Sequence, residues 1–384
     1  MKSIHLWVSG IEETGGIQHY SACCVQALRE IYPQARLRIF SKNDAQSDPD
    51  TGLHAFGRWR GKLHTLAFAA AGLAWALRER PDFIFATHPH FMKALAPLTR
   101  LGIPCLTAAH GIETWGLMGG RFGAALRQAT GILPVSAFTR DVIHREAHVP
   151  MSRMRVVPDT FREENFTPGP KSAALLQRYG LKPDQPVILT VGRLSASERY
   201  KGQDQVLRAM PSLVRELPDL HYIIGGRGDD EPRLRQLCAE LGLEKHVTFT
   251  GFIPEAELAD HYRLADLYVM PSTGEGFGIV YLESLACGRP CLVGNADASP
   301  EAIDHGRLGF IVPPRDIAQI ASAILSFFRR QHDKPWLHEP ETLHREVVKL
   351  YGQQAFRGYL QQALRELLPS KTHVWHRWHP QKLS

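Results

Sequence analysis

The stretch LYVMPSTGEGFGIVYLESLACGRPCLVGN, Leu267–Asn295, reads as strand, turn, helix and strand in succession. Its first apolar run ends at Pro271, which has no N–H to give a ladder. Gly274, Gly276 and Gly278 then interrupt any regular structure, IVYLESLACG has the composition of a short helix, and Gly288 stops it. The second run, CLVG, follows Pro290. Two short strands joined through one helix are a crossover, and a crossover makes parallel strands. Both runs are apolar at nearly every position, as expected where a sheet is covered on both faces. Glu275 falls in the loop of this unit, and Glu283 more than one turn into its helix. The helix neighbours Leu282, Leu285 and Ala286 predict a largely buried surface, where an unpartnered acid is costly.

The same pattern recurs along the chain. The first half offers IHLWVSG, ARLRIFS, DFIFATH, IPCLTAAHG, GILPVS and RMRVVPD as strands, and the second PVILTVGR, LHYIIGG, HVTFTG, LYVMPS, PCLVGN and GFIVPP. Amphipathic stretches of helical length separate them, so the fold class is α/β with two doubly wound, Rossmann-like domains. Between the sets, FTPGPKSAALLQRYGLKPDQP is punctuated by prolines and glycine and reads as a linker. The expected domains are 1–167, a linker at 168–185, 186–345, and a C-terminal helix and tail at 346–384 that packs back on the first domain.

Composition bounds the function. The 384 residues are 44% hydrophobic and 22% charged, enough for large cores, and the formal charge of +6 comes without a lysine- or arginine-rich run. Nucleic acid is therefore not an expected partner, while small anionic ligands or an anionic membrane surface are. The six cysteines form neither a CxxC pair nor a disulfide framework, which points to a reducing cytoplasm. The opening MKSIHLWVSG reads as a strand and not as a signal peptide, and the longest apolar run, Thr65–Leu77, is too short to span a bilayer.

In doubly wound sheets, ligands gather beyond the carboxyl ends of strands, and the loops there carry the unusual residues. Gly15-Gly16 precedes a helix whose first N–H groups can hold a phosphate, although a plain tight turn explains the pair equally well. Arg193 closes one strand and Lys201 opens the following helix, a pairing suited to a diphosphate: Arg as a fork, Lys as a point charge. In the opening stretch, the N–H groups of Gly278, Ile279 and Val280 face an anion if the helix starts there, and Glu275 and Glu283 can accept hydrogen bonds from sugar hydroxyls. His110 stands where IPCLTAA runs out, as either a structural histidine or one that contacts a reacting group. Despite 19 histidines there is no HExxH or Cys/His quartet, so no metal is expected.

With these residues in order, the chain resembles the family-4 glycosyltransferases, retaining enzymes of the GT-B fold. The most specific element is Glu-x7-Glu, here Glu275 and Glu283, supported by TGGIQ, HG, VSAFTRDVI, VVPDTF, VGRLS, YKG and FTGFIPEAEL. The resemblance implies two domains facing across a cleft and a UDP- or GDP-linked sugar donor as substrate, with no cofactor. It implies that Arg193, Lys201, Gly16, Gly278, Ile279 and Val280 hold the diphosphate, that Glu283 binds the ribose, and that Gly226, Arg227, Phe252 and Ile253 lie on the side of the base. His110 and Glu275 become the catalytic candidates, Glu275 on hydroxyls of the transferred sugar. The chain departs from the family at Asp159, where many members have asparagine, and in SASERY, which lengthens the loop between Arg193 and Lys201.

The implied acceptor is a glycan, expected to be lipid-linked and used in cell-surface polysaccharide synthesis. Around the apolar helix of residues 57–81, Arg58, Arg60, Lys62, Arg78 and Arg80, with Trp59 and Trp75, suit the inner face of a membrane, as do Lys371, Arg377 and Lys382 in the tail. A crossover helix packed on the first sheet, with Gly72 allowing close contact, is the competing reading. For the function, the alternatives are a nucleotide-sugar epimerase and a non-catalytic nucleotide-sugar-binding protein.

Overall fold

The structure, a computed structural model, describes residues 1–12, 15–58, 61–116 and 119–369. It forms two compact units, Met1–Asp159 with the segment from Phe356 on, and Thr160–Ala355. The first holds β1 (Ser3–Val8), β2 (Arg36–Ser41), β3 (Leu53–Ala55), β4 (Phe83–Ala86), β5 (Cys105–Ala109) and β6 (Gly131–Pro134). They make one parallel sheet in the order β3-β2-β1-β4-β5-β6. The second holds β7 (Val187–Val191), β8 (His221–Gly225), β9 (Val247–Gly251), β10 (Leu267–Met270), β11 (Cys291–Gly294) and β12 (Gly309–Val312). Its order is β12-β11-β10-β7-β8-β9, again all parallel.

All six runs expected in the second half are strands. In the first half RMRVVPD is not: Met154 makes a single bridge to Ile132, and the N–H groups of Arg155 and Val157 donate to Ile132 and Pro134 at 3.2 and 2.9 Å. That backbone runs beside β6 without building a ladder. The sixth strand is instead β3 at the opposite edge, whose three residues after Thr51-Gly52 are too few to show a period.

The segment expected as a linker packs within the second unit. Lys171 pairs with Asp266 at 2.9 Å, Arg178 with Glu257 at 2.6 Å, and the Tyr179 hydroxyl lies 2.8 Å from His261 Nε2. At the other end, the helix Gln353–Leu367 joins the first unit from Phe356 on. Phe356 meets the Tyr20 ring edge-on at 5.5 Å, Arg357 pairs with Glu30 and Glu366 with Arg155, and Leu367 lies over Gly131.

The helix Gly61–Glu79 buries Phe68, Gly72 and Ala76. A Cβ on Gly72 would stand 2.2 Å from Trp7 Cζ2, so glycine lets the helix lie flat on that indole. Leu63, Leu66 and Leu77 remain more than half exposed. The crossover reading therefore holds for one face and leaves a second, apolar face uncovered. Trp59, Arg60, the side chain of Lys62, and Lys371, Arg377 and Lys382 fall outside the described residues. No described helix is long and apolar enough to cross a membrane.

Candidate active site

Counted from its own first strand, each sheet runs 3-2-1-4-5-6, so the order in which strands are added reverses between the first and fourth strands. Crossover helices leave opposite faces there, and the loops part to form a crevice at the carboxyl edge. In the second unit these are the loops after β7 and β10, which carry Arg193, Lys201 and Glu275.

Lys201 is nearly covered, and its Nζ lies 2.5 Å from Glu275 Oε1 and 3.8 Å from Glu198 Oε2. Burial works against its charge, but Glu275, with Tyr200 and Glu198, outweighs it and holds the ammonium above the usual lysine range. Arg193 reaches back from the strand end to Glu198 Oε1, and 79% of its side chain stays exposed. Both cations thus meet on one buried carboxylate.

The β10 loop is fixed from several sides. Glu275 N–H donates to Asp297 Oδ2 at 2.7 Å, and Ala298 N–H returns a bond to Glu275 O at 3.2 Å. Burial raises the Asp297 carboxyl above its ordinary range, against the bonds it accepts from Glu275 and Ser299. Gly274 lies against the Tyr200 ring, where a Cβ would come within 2.7 Å of Cγ. Gly278 adopts φ +98°, which favours glycine, and the helix Ile279–Ala286 starts there with no side chain capping it. Its open first turn is a ready anion site. The Tyr281 hydroxyl donates to Met270 O at 3.0 Å, tying the helix to the strand before the loop.

Glu283 is half-buried and accepts a bond from the Tyr262 hydroxyl at 2.7 Å. Burial pushes its carboxyl up to about 7, with the Tyr262 bond opposing. The acid that looked costly in the sequence has a partner, and it is kept partly protonated. Its folded pKa lies above the ordinary 4.5, so between those values the native state holds a proton that the unfolded chain releases. Stability therefore falls as pH rises from about 4.5 to about 7, and Glu283→Gln should be relieved of that loss. Urea unfolding at pH 5 and pH 8 should show the variant gaining on wild type by on the order of 1–3 kcal/mol at the higher pH. An offset independent of pH would count against it.

The loops after β7, β8 and β9 are zipped together. Gly192 N–H donates to Gly225 O at 3.0 Å, Leu194 N–H to Arg227 O at 2.9 Å, and Gly226 N–H to Gly251 O at 2.8 Å. Arg227 lies over Gly251, and Ile253 Cδ1 fills the space above Gly225. Phe252 is 61% exposed beside them.

In the first unit, His110 leaves β5 and donates from Nε2 to Thr87 O at 2.8 Å, while its Nδ1 lies 4.0 Å from Asp159. Tyr20 meets the imidazole edge-on at 4.7 Å, and Glu113 Oε1 accepts from His110 N–H at 2.5 Å. His88, after β4, is driven down to about 3 by burial first and then by His110 and His90, so its imidazole is neutral. Gly16 begins the helix Gly16–Ile31 after Gly15, at φ 155°, and no side chain caps that turn.

The model of Glycosyltransferase Family 4 matches residues 14–160, and that of Glycosyl transferases group 1 matches residues 172–338. The chain belongs to glycosyltransferase family 4. Among relatives, the GDP-mannose-dependent alpha-(1-6)-phosphatidylinositol monomannoside mannosyltransferase of Mycolicibacterium smegmatis is 36% identical over 198 residues, half of each chain. A D-inositol 3-phosphate glycosyltransferase of Acidothermus cellulolyticus is 31% identical over 290 residues, 68% of this chain and 63% of the relative. The chain thus spans about half to just under two thirds of the length of these relatives. Anabaena HepE, solved in complex with UDP, superposes with a TM-score of 0.74 at 20% identity, covering 95% of this chain and all of that one. The GT-B fold expected from the sequence is the fold observed.

Within this family-4 chain, the structure gathers Arg193, Lys201 and Glu275 at one crevice of the second unit, and Gly226, Arg227, Ile253 and Phe252 at the adjoining strand ends. Glu283 has a partner of its own, the Tyr262 hydroxyl. His110 and Gly16 stand in the first unit. Sequence reasoning missed Glu198, Tyr262 and Asp297. Asp297 lies in GNADASP, and Glu198 in the lengthened SASERY loop; nothing in the spacing marks either as an anchor for its neighbours.

Proposed function

We propose that this chain is a retaining glycosyltransferase that moves a sugar from a UDP- or GDP-linked donor to a lipid-linked glycan without a metal ion. The observation that carries the reading is the convergence of Arg193 and Lys201 at the switch point of the second sheet, beside the uncapped helix start at Gly278. Charge develops on the departing nucleoside diphosphate, and cations fixed before the reaction stabilise it without reorganising. Arg193 takes phosphate oxygens by its fork, Lys201 adds a point charge, and the N–H groups of Gly278, Ile279 and Val280 add theirs. Glu275, already fixed through Asp297, accepts from hydroxyls of the transferred sugar, and Glu283 from the ribose.

Gly226, Arg227, Phe252 and Ile253 form the side for the base, while His110 is the candidate of the first unit for the reacting sugar. Retention follows the family, the acceptor attacking from the face that the diphosphate leaves. The names of the mannosyltransferase relatives support a GDP-linked donor and a lipid-borne acceptor. The uncovered leucines Leu63, Leu66 and Leu77, flanked by exposed Arg58, Arg78 and Arg80, support docking on an anionic membrane from the cytoplasmic side.

The test follows nucleoside diphosphate release from UDP- and GDP-sugars in turn, with lipid-linked acceptors in anionic or neutral vesicles, with and without EDTA. Release that depends on acceptor, persists in EDTA and is faster on anionic vesicles is expected. Donor isomerisation without acceptor would mark an epimerase, and binding without turnover a non-catalytic protein. Loss in EDTA restored by magnesium would remove the metal-free mechanism.

A further inference from the structure

The lengthened loop between Arg193 and Lys201 holds an acid where the site is meant to receive an anion. The Glu198 side chain is only 8% exposed, and its two oxygens are divided: Oε1 to Arg193, Oε2 toward Lys201 at 3.8 Å. Glu275 makes a second acid on Lys201, at 2.5 Å. Two cations are therefore matched by two carboxylates, and the cluster is formally neutral before any donor arrives.

The loop around Glu198 is held from outside. Ala196 N–H donates to Asp229 Oδ1 at 2.8 Å, Arg199 pairs with Asp230 at 2.7 Å, and Thr273 N–H donates to Tyr200 O at 2.9 Å. Glu198 itself leaves helical geometry, at φ −116°, ψ 23°, and its N–H donates to Ser195 O at 2.8 Å. The neighbouring Arg199 is turned to Asp230, while the Glu198 carboxylate is turned onto the two cations. A residue serving only the fold would not need a charge there, because a buried carboxylate costs several kcal/mol unless paired.

We propose that Glu198 is a positioning residue that acts as a built-in counterion for the diphosphate grip. It keeps Arg193 and Lys201 from repelling each other in the empty site and competes with the diphosphate for both. The ground-state hold on the nucleoside diphosphate is thereby weakened, and the product leaves more readily. The inference rests on the reading of this crevice as the donor site and adds to it a control on product release.

The experiment measures Kd for UDP and for GDP by titration calorimetry on the full chain, as wild type, Glu198→Gln and Glu198→Asp, with the corresponding nucleosides as phosphate-free controls. Removing one negative charge a few ångströms from the phosphates should tighten the diphosphate by roughly 5–30-fold in Glu198→Gln. The nucleoside should bind as in wild type, and Glu198→Asp, which keeps the charge, should stay within about 3-fold of wild type. In turnover, Glu198→Gln should show a lower KM together with a lower kcat, since Arg193 loses its anchor and the product is held longer. Unchanged or weaker diphosphate binding in Glu198→Gln overturns the inference while leaving the donor site standing. Equal tightening in both variants overturns it too, because packing and not charge would then be responsible. Failure of wild type to bind either diphosphate sinks the donor reading and this inference with it. Matching circular dichroism melts keep a misfolded variant from being mistaken for any of these.

Discussion

Arg193→Ala is expected to lower kcat/KM by roughly 100–1,000-fold, the range for removing one preorganised group that stabilises developing charge. The thermal midpoint should stay within about 2 °C of wild type, because a side chain 79% exposed contributes little packing. The two expectations together separate function from fold. Arg193 projects from the end of β7 and meets the protein through Glu198, which keeps Lys201 as a second cationic neighbour after the substitution. What disappears is the fork that can hold two phosphate oxygens at once. Arg193→Lys should recover only part of the loss, since an ammonium offers a point charge and no planar pair of donors. Activity of Arg193→Ala within about 3-fold of wild type, measured with whichever donor the wild type uses, would remove Arg193 from the diphosphate site.

The fold was legible because its signal is repetitive. Apolar runs such as VILT and YIIG are buried throughout their length, and each is followed by a helix of the right period. Where the repeat weakens, the reading failed: β3 has three residues, and RMRVV opens in a 3-10 turn and makes no ladder beyond one bridge. The segment read as a linker shows a different limit of local pattern. Prolines mark where a chain turns, yet Lys171, Arg178 and Tyr179 find partners on the second unit that no local pattern encodes.

The site divides in the same manner. Gly278, Glu275, Arg193 and Lys201 stand at strand-to-helix junctions, and junctions can be read from the pattern. Their supports cannot. Asp297 holds the backbone of Glu275 from 22 residues away, Tyr262 reaches Glu283 across 21, and Glu198 meets Arg193 because the loop folds back on itself. A carboxylate in a loop looks like a solvated surface group until its burial is known, and burial is a property of the tertiary structure.

Gly226→Ala should destabilise the second unit by about 3 kcal/mol or more, a larger loss than conformational strain alone gives. Its φ of +132° is a region that L side chains rarely adopt, and a Cβ built there would stand 1.8 Å from the carbonyl oxygen of Gly192. That atom is backbone and cannot rotate away. Gly192 is itself bonded to Gly225 O, and Gly226 to Gly251 O, so relief requires opening the contact between the loops after β7 and β8 or between those after β8 and β9. Gly242 supplies the control. It too has a positive φ, +67°, but nothing lies within 4 Å of its added Cβ, so Gly242→Ala should cost only the left-handed strain of about 1–2 kcal/mol. For a unit of this size each kcal/mol lowers Tm by roughly 2–4 °C, so the variants should melt about 6–12 °C and 2–8 °C below wild type. The Gly226 variant should also lose nucleotide affinity, because Arg227 and Ile253 are carried on the loops it forces apart. Equal losses of stability in the two variants would show that Gly226 is glycine for its dihedral angle alone, and that the close crossing of the β7 and β8 loops does not constrain the proposed base side of the site.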